Sequence, residues 1–224
     1  FFDQASKDPK VRLVVISGAG KSFCAGADLN WMKKMANYSD EENVADSKRL
    51  ANMLDRINKF NKPLIGKING AALGGGVGLV SICDYVISAD HALYGLSEVR
   101  LGVLPAVISP YVISKIGESN ARATFLSGHR FDAARAMKMG LVHDVVPMDQ
   151  LDAATDKMVG EFLKSAPGAI GQAKELIRKF NEFKNAPNEL MDYTCRLISD
   201  LRVGPEGQEG MTALLEKRKP NWME

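Results

Sequence analysis

The sequence is poor in the residues that hold metals and disulfides. Its three cysteines, Cys24, Cys83 and Cys195, are widely separated and odd in number. That pattern fits buried small side chains in a reducing compartment better than a disulfide framework. Its three histidines share no metal-ligand spacing. We therefore expect no metal site.

Long apolar runs and an excess of one charge are also missing. No apolar stretch approaches the roughly 20 residues of a membrane-spanning helix. The formal net charge is only +2, which is too small to favour nucleic acid or an anionic membrane as the main partner. No repeat or low-complexity segment is present. What remains is the composition of an ordinary soluble globular domain, with 46% apolar and 25% charged residues in a chain of 224.

The first part of the chain alternates strand and helix patterns. The run Val11–Ser17 (VRLVVIS) predicts a strand that is buried on both faces. Further strands are predicted at Leu64–Ile68, Tyr85–Ala89 and Val142–Val146. From Leu151 onward, four helical patterns follow one another without a strand. This predicts an α/β core over residues 1–150 and an all-helical region over 151–224, whose apolar faces we expect to pack on a neighbouring subunit.

Two helix starts carry N-cap signals. Asp28 precedes the amphipathic segment Leu29–Met35, and Ser39 precedes a long helical pattern with acids early and bases late. The chain itself opens on Phe1, inside a short helical pattern. We therefore expect the natural N-terminus to lie further upstream, so the sequence does not bear on a targeting segment.

The rest of the chain is organised around the stretch Lys67–Asp84 (KINGAALGGGVGLVSICD). An apolar segment passes through Gly74, Gly75 and Gly76 into an apolar helical pattern. Adjacent glycines at a helix start let a ligand approach bare N–H groups at the positive end of the helix dipole. Such a turn holds a phosphate, or an oxygen on which negative charge develops during a reaction. The alternative is a packing turn where a helix sits tightly on a sheet.

Six stretches together resemble the crotonase, or enoyl-CoA hydratase/isomerase, superfamily. Their order and spacing cover the whole chain, and the family's first strand and helix are absent from it. The stretches are SFCAGADL (22–29), INGAALGGGVGL (68–79), CDYVISA (83–89), YGLSEVRLGVLP (94–105), FDAARAMKMGLVHDVVP (131–147) and LLEKRKPNW (214–222). The segments 26–32, 107–111 and 205–210 are similar to the branch that acts on methylglutaconyl-CoA and related branched or carboxylated enoyl-CoAs.

The resemblance implies an α/β spiral of ββα units, with C-terminal helices that assemble trimers, which often pair into hexamers. It implies an acyl-CoA thioester as substrate and no separate cofactor, since coenzyme A is part of that substrate. It also implies fatty acid metabolism or leucine degradation as the setting. The compartment would be the cytoplasm in a bacterium or the mitochondrial matrix in a eukaryote.

The resemblance also implies the reaction centre. Backbone N–H groups at Ala25 and Gly75 would bind the thioester oxygen as an oxyanion hole, which decides the glycine turn in favour of an oxyanion. Glu98, in Ser-Glu-Val-Arg-Leu-Gly, would be the catalytic acid/base, and its apolar surroundings would raise its pKa. Read without the resemblance, Glu98 is a solvated loop glutamate.

The sequence departs from the two-glutamate hydratases at Gly78, where those enzymes carry their second glutamate. One carboxylate must then make both proton transfers, or a second water must take part. We also expect the missing side chain at Gly78 to leave room for a branched or bulky acyl group. Double-bond isomerisation is therefore an alternative to hydration, because family members that only shift a double bond also work with one glutamate.

Five further residues receive roles through the resemblance, each with an alternative. Ala27 would contact the CoA adenine, and it also belongs to a tight turn. Leu214 and Lys217 would lie at the CoA nucleotide, or simply end a basic helix. Arg100 would pair with a distal substrate carboxylate, or form a structural salt bridge. Trp31 would line the acyl pocket, or pack in the core.

The leading hypothesis is therefore a hydro-lyase that adds water to an enoyl-CoA. A double-bond isomerase with the same site is the second. Because one superfamily member binds RNA, an RNA-binding homologue is a third hypothesis. The helix that follows Ser39 mixes both charge signs, so nucleic acid is not expected as a partner.

Overall fold

The computed structural model describes residues 1–180, 182–183 and 185–223. Eight strands occupy the first part of the chain: β1 (Val14–Ser17), β2 (Ser22–Cys24), β3 (Leu64–Ile68), β4 (Ala71–Leu73), β5 (Tyr85–Ala89), β6 (Leu93–Gly95), β7 (Arg130–Asp132) and β8 (Asp144–Val146). Ten α-helices are described: α1 (Phe2–Lys7), α2 (Leu29–Met35), α3 (Asp40–Asn58), α4 (Gly75–Ile82), α5 (Ser109–Ser127), α6 (Ala133–Lys138), α7 (Leu151–Leu163), α8 (Pro167–Phe180), α9 (Pro187–Val203) and α10 (Pro205–Leu215).

The strands form two sheets, and the strands from β1 to β6 alternate between them. The first sheet has the order β1-β3-β5-β8 and is entirely parallel. The second has the order β2-β4-β6-β7, parallel except for the antiparallel pair β6–β7. Each of the first three turns of chain thus adds one strand to each sheet, as expected for a spiral of ββα units.

Helix α4 lies at the centre of this arrangement. Its residues Val77 and Val80 are fully buried, and the helix packs against α3, α5 and β4. A helix this apolar on all sides is stable only inside a core. Its N-terminus follows directly from β4, so the position of the glycine turn is fixed by the second sheet.

The two predicted helix caps are confirmed, and a glycine interrupts α5. The Asp28 carboxylate accepts N–H bonds from Asn30 and Trp31 at 2.7 and 3.0 Å. Ser39 forms a reciprocal capping box with Glu42. Gly117 has φ 74° and ψ 160°, which is non-helical, and divides α5 into two pieces.

Two expectations about strands are wrong. The strand predicted at 11–17 is not buried on both faces, because β1 is an edge strand whose side chains alternate between half-buried and exposed. The second sheet contains β2, β4 and β7, which the sequence patterns did not predict. Each has only three residues, mostly small or polar ones, and gives no alternation of apolar and polar positions.

The C-terminal helices are held to the preceding part of the chain by directional polar contacts. The Lys174 ammonium in α8 lies 2.6 Å from the Asp84 carboxylate, which also accepts the Leu64 N–H at 2.7 Å. The Glu206 carboxylate in α10 accepts the N–H groups of Gly168 and Ala169 at the start of α8. These contacts fix α8 against both the first sheet and α10.

The structure also bears on membrane spans, metal ligands and disulfides. Among the described helices, none is long and apolar enough to cross a bilayer. Within the same residues, no group of three or more histidine, cysteine or acidic side chains is placed to hold a metal ion. All three cysteines are free thiols, and burial raises the pKa of Cys83 to about 12.

Candidate active site

The N-terminus of α4 is open to ligands. Gly74 precedes it with φ 55° and ψ −119°, a conformation that favours glycine. The Gly74 N–H donates to the Gly95 carbonyl at 2.8 Å, which ties the turn to β6. Gly75, the first helical residue, is exposed, and a Cβ there would meet nothing within 4 Å. Its N–H has no intrahelical acceptor and lies at the positive end of the helix dipole.

The turn that carries Ala25 lies against this helix start. A Cβ on Gly76 would lie 2.8 Å from the Cys24 Cβ and 3.1 Å from the Cys24 carbonyl oxygen. Ala25 follows Cys24 directly and is exposed, as Gly75 is. Both residues therefore lie just beyond the carboxyl ends of the neighbouring strands β2 and β4. The structure brings together the two backbone segments that were predicted to form an oxyanion hole.

Glu98 faces the same turn. It begins a 3-10 turn, Glu98–Leu101, that Gly102 ends in the left-handed conformation. Its Oε1 lies 3.2 Å from the position that a Cβ on Gly74 would take. Its Oε2 is buried and has no hydrogen-bond partner among the described residues. Burial raises the pKa of Glu98 above its usual value, against a smaller lowering by a backbone hydrogen bond.

The expected free space beside Gly78 is not there. A Cβ on Gly78 would lie 2.4 Å from the Cγ2 of Ile108 and 2.8 Å from its Cβ. Ile108 is only 3% exposed and immediately precedes α5. The expectation that Gly78 leaves room for a bulky acyl group is therefore wrong, because an isoleucine from a distant part of the chain fills the space. No local sequence signal pointed to Ile108.

Trp31 and Ala27 lie on the segment that follows β2. The Trp31 indole N–H donates to the Asp46 carboxylate at 3.2 Å, which links α2 to α3. Ala27 is exposed in the turn after Gly26, whose φ is 112°. The structure thus gives Trp31 a hydrogen bond to α3 and leaves Ala27 accessible. The acyl-pocket and adenine roles of these residues stay predictions.

The Arg100 side chain contacts the end of α5, whereas Glu98 faces the glycine turn. Its guanidinium donates to the Ser127 carbonyl at 3.3 and 3.4 Å, and its side chain covers Gly128. No carboxylate pairs with Arg100 among the described ion pairs. The residue lines a surface concavity of about 560 Å³ that also contains Arg130. The role of Arg100 toward a substrate carboxylate stays a prediction.

Leu214 and Lys217 lie at the end of α10. Leu214 is 78% exposed, and Lys217 has the positive φ of 56°, uncommon for a residue with a side chain. Within one chain, α10 packs mainly on α9. The two residues are accessible to a ligand or a neighbouring subunit, and their place at the CoA nucleotide stays a prediction.

A larger cleft of about 860 Å³ lies elsewhere, between α8 and the ends of α3 and α4. Its cations already have acceptors. Lys115 donates to the Cys83 carbonyl at 3.0 Å, and Lys174 contacts Asp84 and the Lys62 carbonyl. Since these groups form contacts that hold the fold together, the cleft is a poorer candidate site than the N-terminus of α4.

Solved structures share this fold. A Legionella pneumophila protein described as an enoyl-CoA hydratase/isomerase (crotonase) is 45% identical, with a TM-score of 0.91 over 99% of this chain and 85% of its own. An enoyl-CoA hydratase from Shewanella pealeana is 38% identical, with a TM-score of 0.94 over 99% of this chain and 82% of its own. The fold is therefore the α/β crotonase fold with a helical C-terminal region.

The family follows from the sequence comparison. A family model described as enoyl-CoA hydratase/isomerase matches residues 1–224. The 2,3-dehydroadipyl-CoA hydratase of Escherichia coli is 33% identical over 98% of this chain and 84% of its own. The chain thus belongs to the enoyl-CoA hydratase/isomerase family and is an enzyme of that family, which confirms the resemblance seen in the sequence.

Proposed function

We propose that the protein is an enoyl-CoA hydratase that adds water to an α,β-unsaturated acyl-CoA through one glutamate and an oxyanion hole. The observation that carries this proposal is the half-buried Glu98 carboxyl, which faces the open start of α4 with one oxygen unpartnered among the described residues. A carboxyl held in this way is suited to exchange protons with a bound reactant.

The proposed mechanism assigns each proton. The thioester oxygen accepts the N–H groups of Ala25 and Gly75, which stabilise the negative charge that develops there. Glu98 takes a proton from water as the water oxygen bonds to the β-carbon. The electron pair of the double bond moves onto the thioester as an enolate. Glu98 then returns a proton to the α-carbon, so its carboxylate is regenerated and coenzyme A leaves as part of the product.

We propose a branched or carboxylated acyl group, with methylglutaconyl-CoA as the favoured substrate. The segments 26–32, 107–111 and 205–210 support this through their similarity to hydratases of such substrates. The Escherichia coli relative is named for 2,3-dehydroadipyl-CoA, and an adipyl group carries a second carboxylate. Arg100, which has no carboxylate partner among the described residues, is the candidate cation for such a group.

Double-bond isomerisation is the second candidate, and one observation favours it. Ile108 fills the place that a side chain at Gly78 would need, so Glu98 is the single carboxylate at the start of α4 in the described structure. Converting a β,γ-enoyl-CoA to the conjugated isomer moves a proton from the α-carbon to the γ-carbon, which needs only one such group. Hydration needs the same group to orient a water as well.

The nucleotide end of the substrate completes the proposal. We assign Ala27, Leu214 and Lys217 to the coenzyme A nucleotide, with Trp31 at the acyl end. The exposure of Ala27, Leu214 and Lys217 supports this. The exposed apolar residues of the C-terminal helices support a homotrimer, or a hexamer made of two trimers.

A substrate panel tests the proposal. Purified protein is incubated with a carboxylated branched α,β-enoyl-CoA, a straight short-chain α,β-enoyl-CoA and a β,γ-enoyl-CoA. The loss or gain of thioester conjugation is followed by absorbance, and products are separated by chromatography. Hydration of the carboxylated branched substrate in preference to the others supports the proposal. Turnover of the β,γ-enoyl-CoA alone would replace it with the isomerase, and no turnover of any member would overturn both.

A further inference from the structure

The Ile108 side chain determines which residue can stand at position 78. The separations of 2.4 and 2.8 Å between a Cβ at Gly78 and the Ile108 side chain are shorter than non-bonded carbons tolerate. Both residues are buried, so neither has room to move away without disturbing the core. With isoleucine at 108, position 78 accepts no side chain.

The pair lies beside Glu98. Gly74 and Gly78 are one turn apart on α4, and the Gly78 N–H approaches the Gly74 carbonyl at 3.4 Å. Glu98 covers Gly74, and Ile108 covers Gly78. One turn of helix rises about 5.4 Å, so the isoleucine is the next group along the helix from the carboxyl.

The segment 98–108 carries both Glu98 and Ile108 and places their side chains against α4. The Val103 N–H donates to the Glu98 carbonyl at 3.2 Å, which closes the 3-10 turn. The Ser109 N–H donates to the Ala106 carbonyl at 3.2 Å and starts α5. The loop is therefore anchored by backbone hydrogen bonds near each of the two residues.

We propose that Ile108 is a specificity-determining residue of this site. Its branched side chain fills the volume beside Glu98 in which a second carboxylate, or a water held by one, would have to lie. Acid–base chemistry then runs through Glu98 alone. This inference rests on the function proposed above.

Two consequences follow from an apolar group at this place. An apolar neighbour disfavours the charged form of a carboxyl, in line with the raised pKa of Glu98. A water at the start of α4 also meets an isoleucine where the two-glutamate hydratases carry a second carboxylate, so it is held less firmly than between two carboxylates. The balance between hydration and isomerisation therefore depends on the polarity of residue 108.

The variant Ile108→Thr tests this. Threonine keeps the branch at Cβ and adds a hydroxyl that can hydrogen-bond to a water or to Glu98. We expect the acidic limb of the kcat/KM profile to move down by about half a pH unit or more. We also expect the ratio of hydrated to isomerised product to rise at least about threefold. Ile116→Thr is the matched control, since Ile116 is equally buried and lies in α5, the helix that Ile108 precedes, and it should change neither quantity.

A second pair of variants tests the packing itself. Gly78→Glu alone should lose at least about 100-fold in kcat/KM, because its side chain collides with Ile108. Adding Ile108→Ala to it should recover at least about tenfold, a non-additive result expected only for residues in contact. No recovery in a folded double variant would show that Ile108 is not what occupies the site.

The outcomes separate this inference from the proposed function. If the wild-type protein turns over no enoyl-CoA, the proposed function is wrong and this inference falls with it. If the wild type is active and folded Ile108→Thr keeps both the wild-type pH limb and the product ratio, this inference alone is wrong. Should Ile108→Thr fail to fold, Ile108→Val takes its place. Its shorter side chain leaves room for water beside Glu98, so it should show a smaller shift of the pH limb in the same direction. An unchanged limb would overturn the inference.

Discussion

The Glu98 carboxyl is half-buried and lies against the backbone of the glycine turn at Gly74. Its Oε1 lies 3.2 Å from the position that a Cβ on Gly74 would take, and its Oε2 has no partner within the described part of the chain. A buried carboxyl without a partner costs stability unless it is protonated or receives a ligand. We expect the burial that lowers the stability of the protein to be what makes this carboxyl active in catalysis.

The pH dependence of activity follows from the raised pKa of Glu98. The carboxylate form must accept the proton of water, so kcat/KM should rise with pH through that pKa. We expect the acidic limb to lie above the ordinary glutamate value of 4.5, because burial disfavours the charge. Steady-state kinetics between pH 4 and 9 measure this. A limb at or below the ordinary value would contradict it.

Stability should change with pH in the opposite direction. Because the folded pKa of Glu98 is raised above its unfolded value, this carboxyl stabilises the folded state below the unfolded pKa. That contribution is lost as the pH rises through the folded pKa. Glu98→Gln should therefore melt no lower than the wild type at pH 8, in thermal unfolding followed by circular dichroism. A clearly lower melting temperature would show that the charged carboxylate has stabilising contacts.

The oxyanion hole makes a prediction about one backbone N–H. Gly75→Pro removes that donor at the first helical position, where proline is tolerated, and should lower kcat about 100- to 1000-fold. Gly75→Ala keeps the N–H and places its Cβ in open space, so its loss should stay within about tenfold. Similar losses in both variants would mean that the N–H is not used.

Parts of this site could be predicted from the sequence. The glycine triplet signals an exposed helix start by composition, and Glu98 stands in a recognisable stretch. The contact of Ile108 with Gly78 was not readable, because it joins positions thirty residues apart through the packing of α5 on α4. The wrong expectation of free space at Gly78 came from treating a missing side chain as a vacancy.

Among the secondary-structure elements, the first sheet was predictable and the second was not. β3 and β5 are apolar five-residue strands bounded by turns, which is a strong local pattern. β2 and β4 have three residues each, and their pairing is set by the neighbouring turns of the spiral. These short strands lead into Ala25 and Gly75, so the elements that position the site were the least visible in the sequence.

The attachment of α8 gives a prediction about stability. Asp84 accepts both the Lys174 ammonium and the Leu64 N–H, and the side chains of this ion pair are only 19% and 29% exposed. Asp84→Ala leaves the Leu64 N–H without its acceptor and the Lys174 ammonium with only the Lys62 carbonyl. It should lower the free energy of unfolding by about 2 to 4 kcal/mol. Urea unfolding measures this.

The control is an ion pair at the surface. Lys67 and Asp152 are 2.8 Å apart, but the Asp152 side chain is 83% exposed. Asp152→Ala should therefore cost no more than about 1 kcal/mol. Equal losses in the two variants would show that the contact between Lys174 and Asp84 has no special weight in holding α8.

On the scale of the whole molecule, the C-terminal helices leave apolar surface uncovered. A groove of about 430 Å³ between α8 and α9 is lined mainly by apolar side chains, including Leu176, Leu197, Ile198 and Leu201. Leu215, at the end of α10, is 83% exposed. Surface of this kind favours association with another copy of the chain, which agrees with the proposed trimer or hexamer.

Light scattering coupled to size exclusion checks this assembly. We expect a mass of three or six times the 24.4 kDa chain. Ile198→Asp places a charge in the groove and should shift the mass toward that of one chain. Val44→Asp, at an exposed position of α3, should leave the mass unchanged. A monomeric wild type would contradict the proposed assembly.

The most direct test of the central claim is the activity of Glu98→Gln on the best substrate of the panel, compared with Glu118→Gln. Glu118 lies in α5 with its side chain 81% exposed, so its variant controls for the loss of one acidic group. The account predicts a loss of about 100-fold or more in kcat for Glu98→Gln, and none for Glu118→Gln. Full hydration activity in folded Glu98→Gln would contradict the claim that one glutamate carries the reaction.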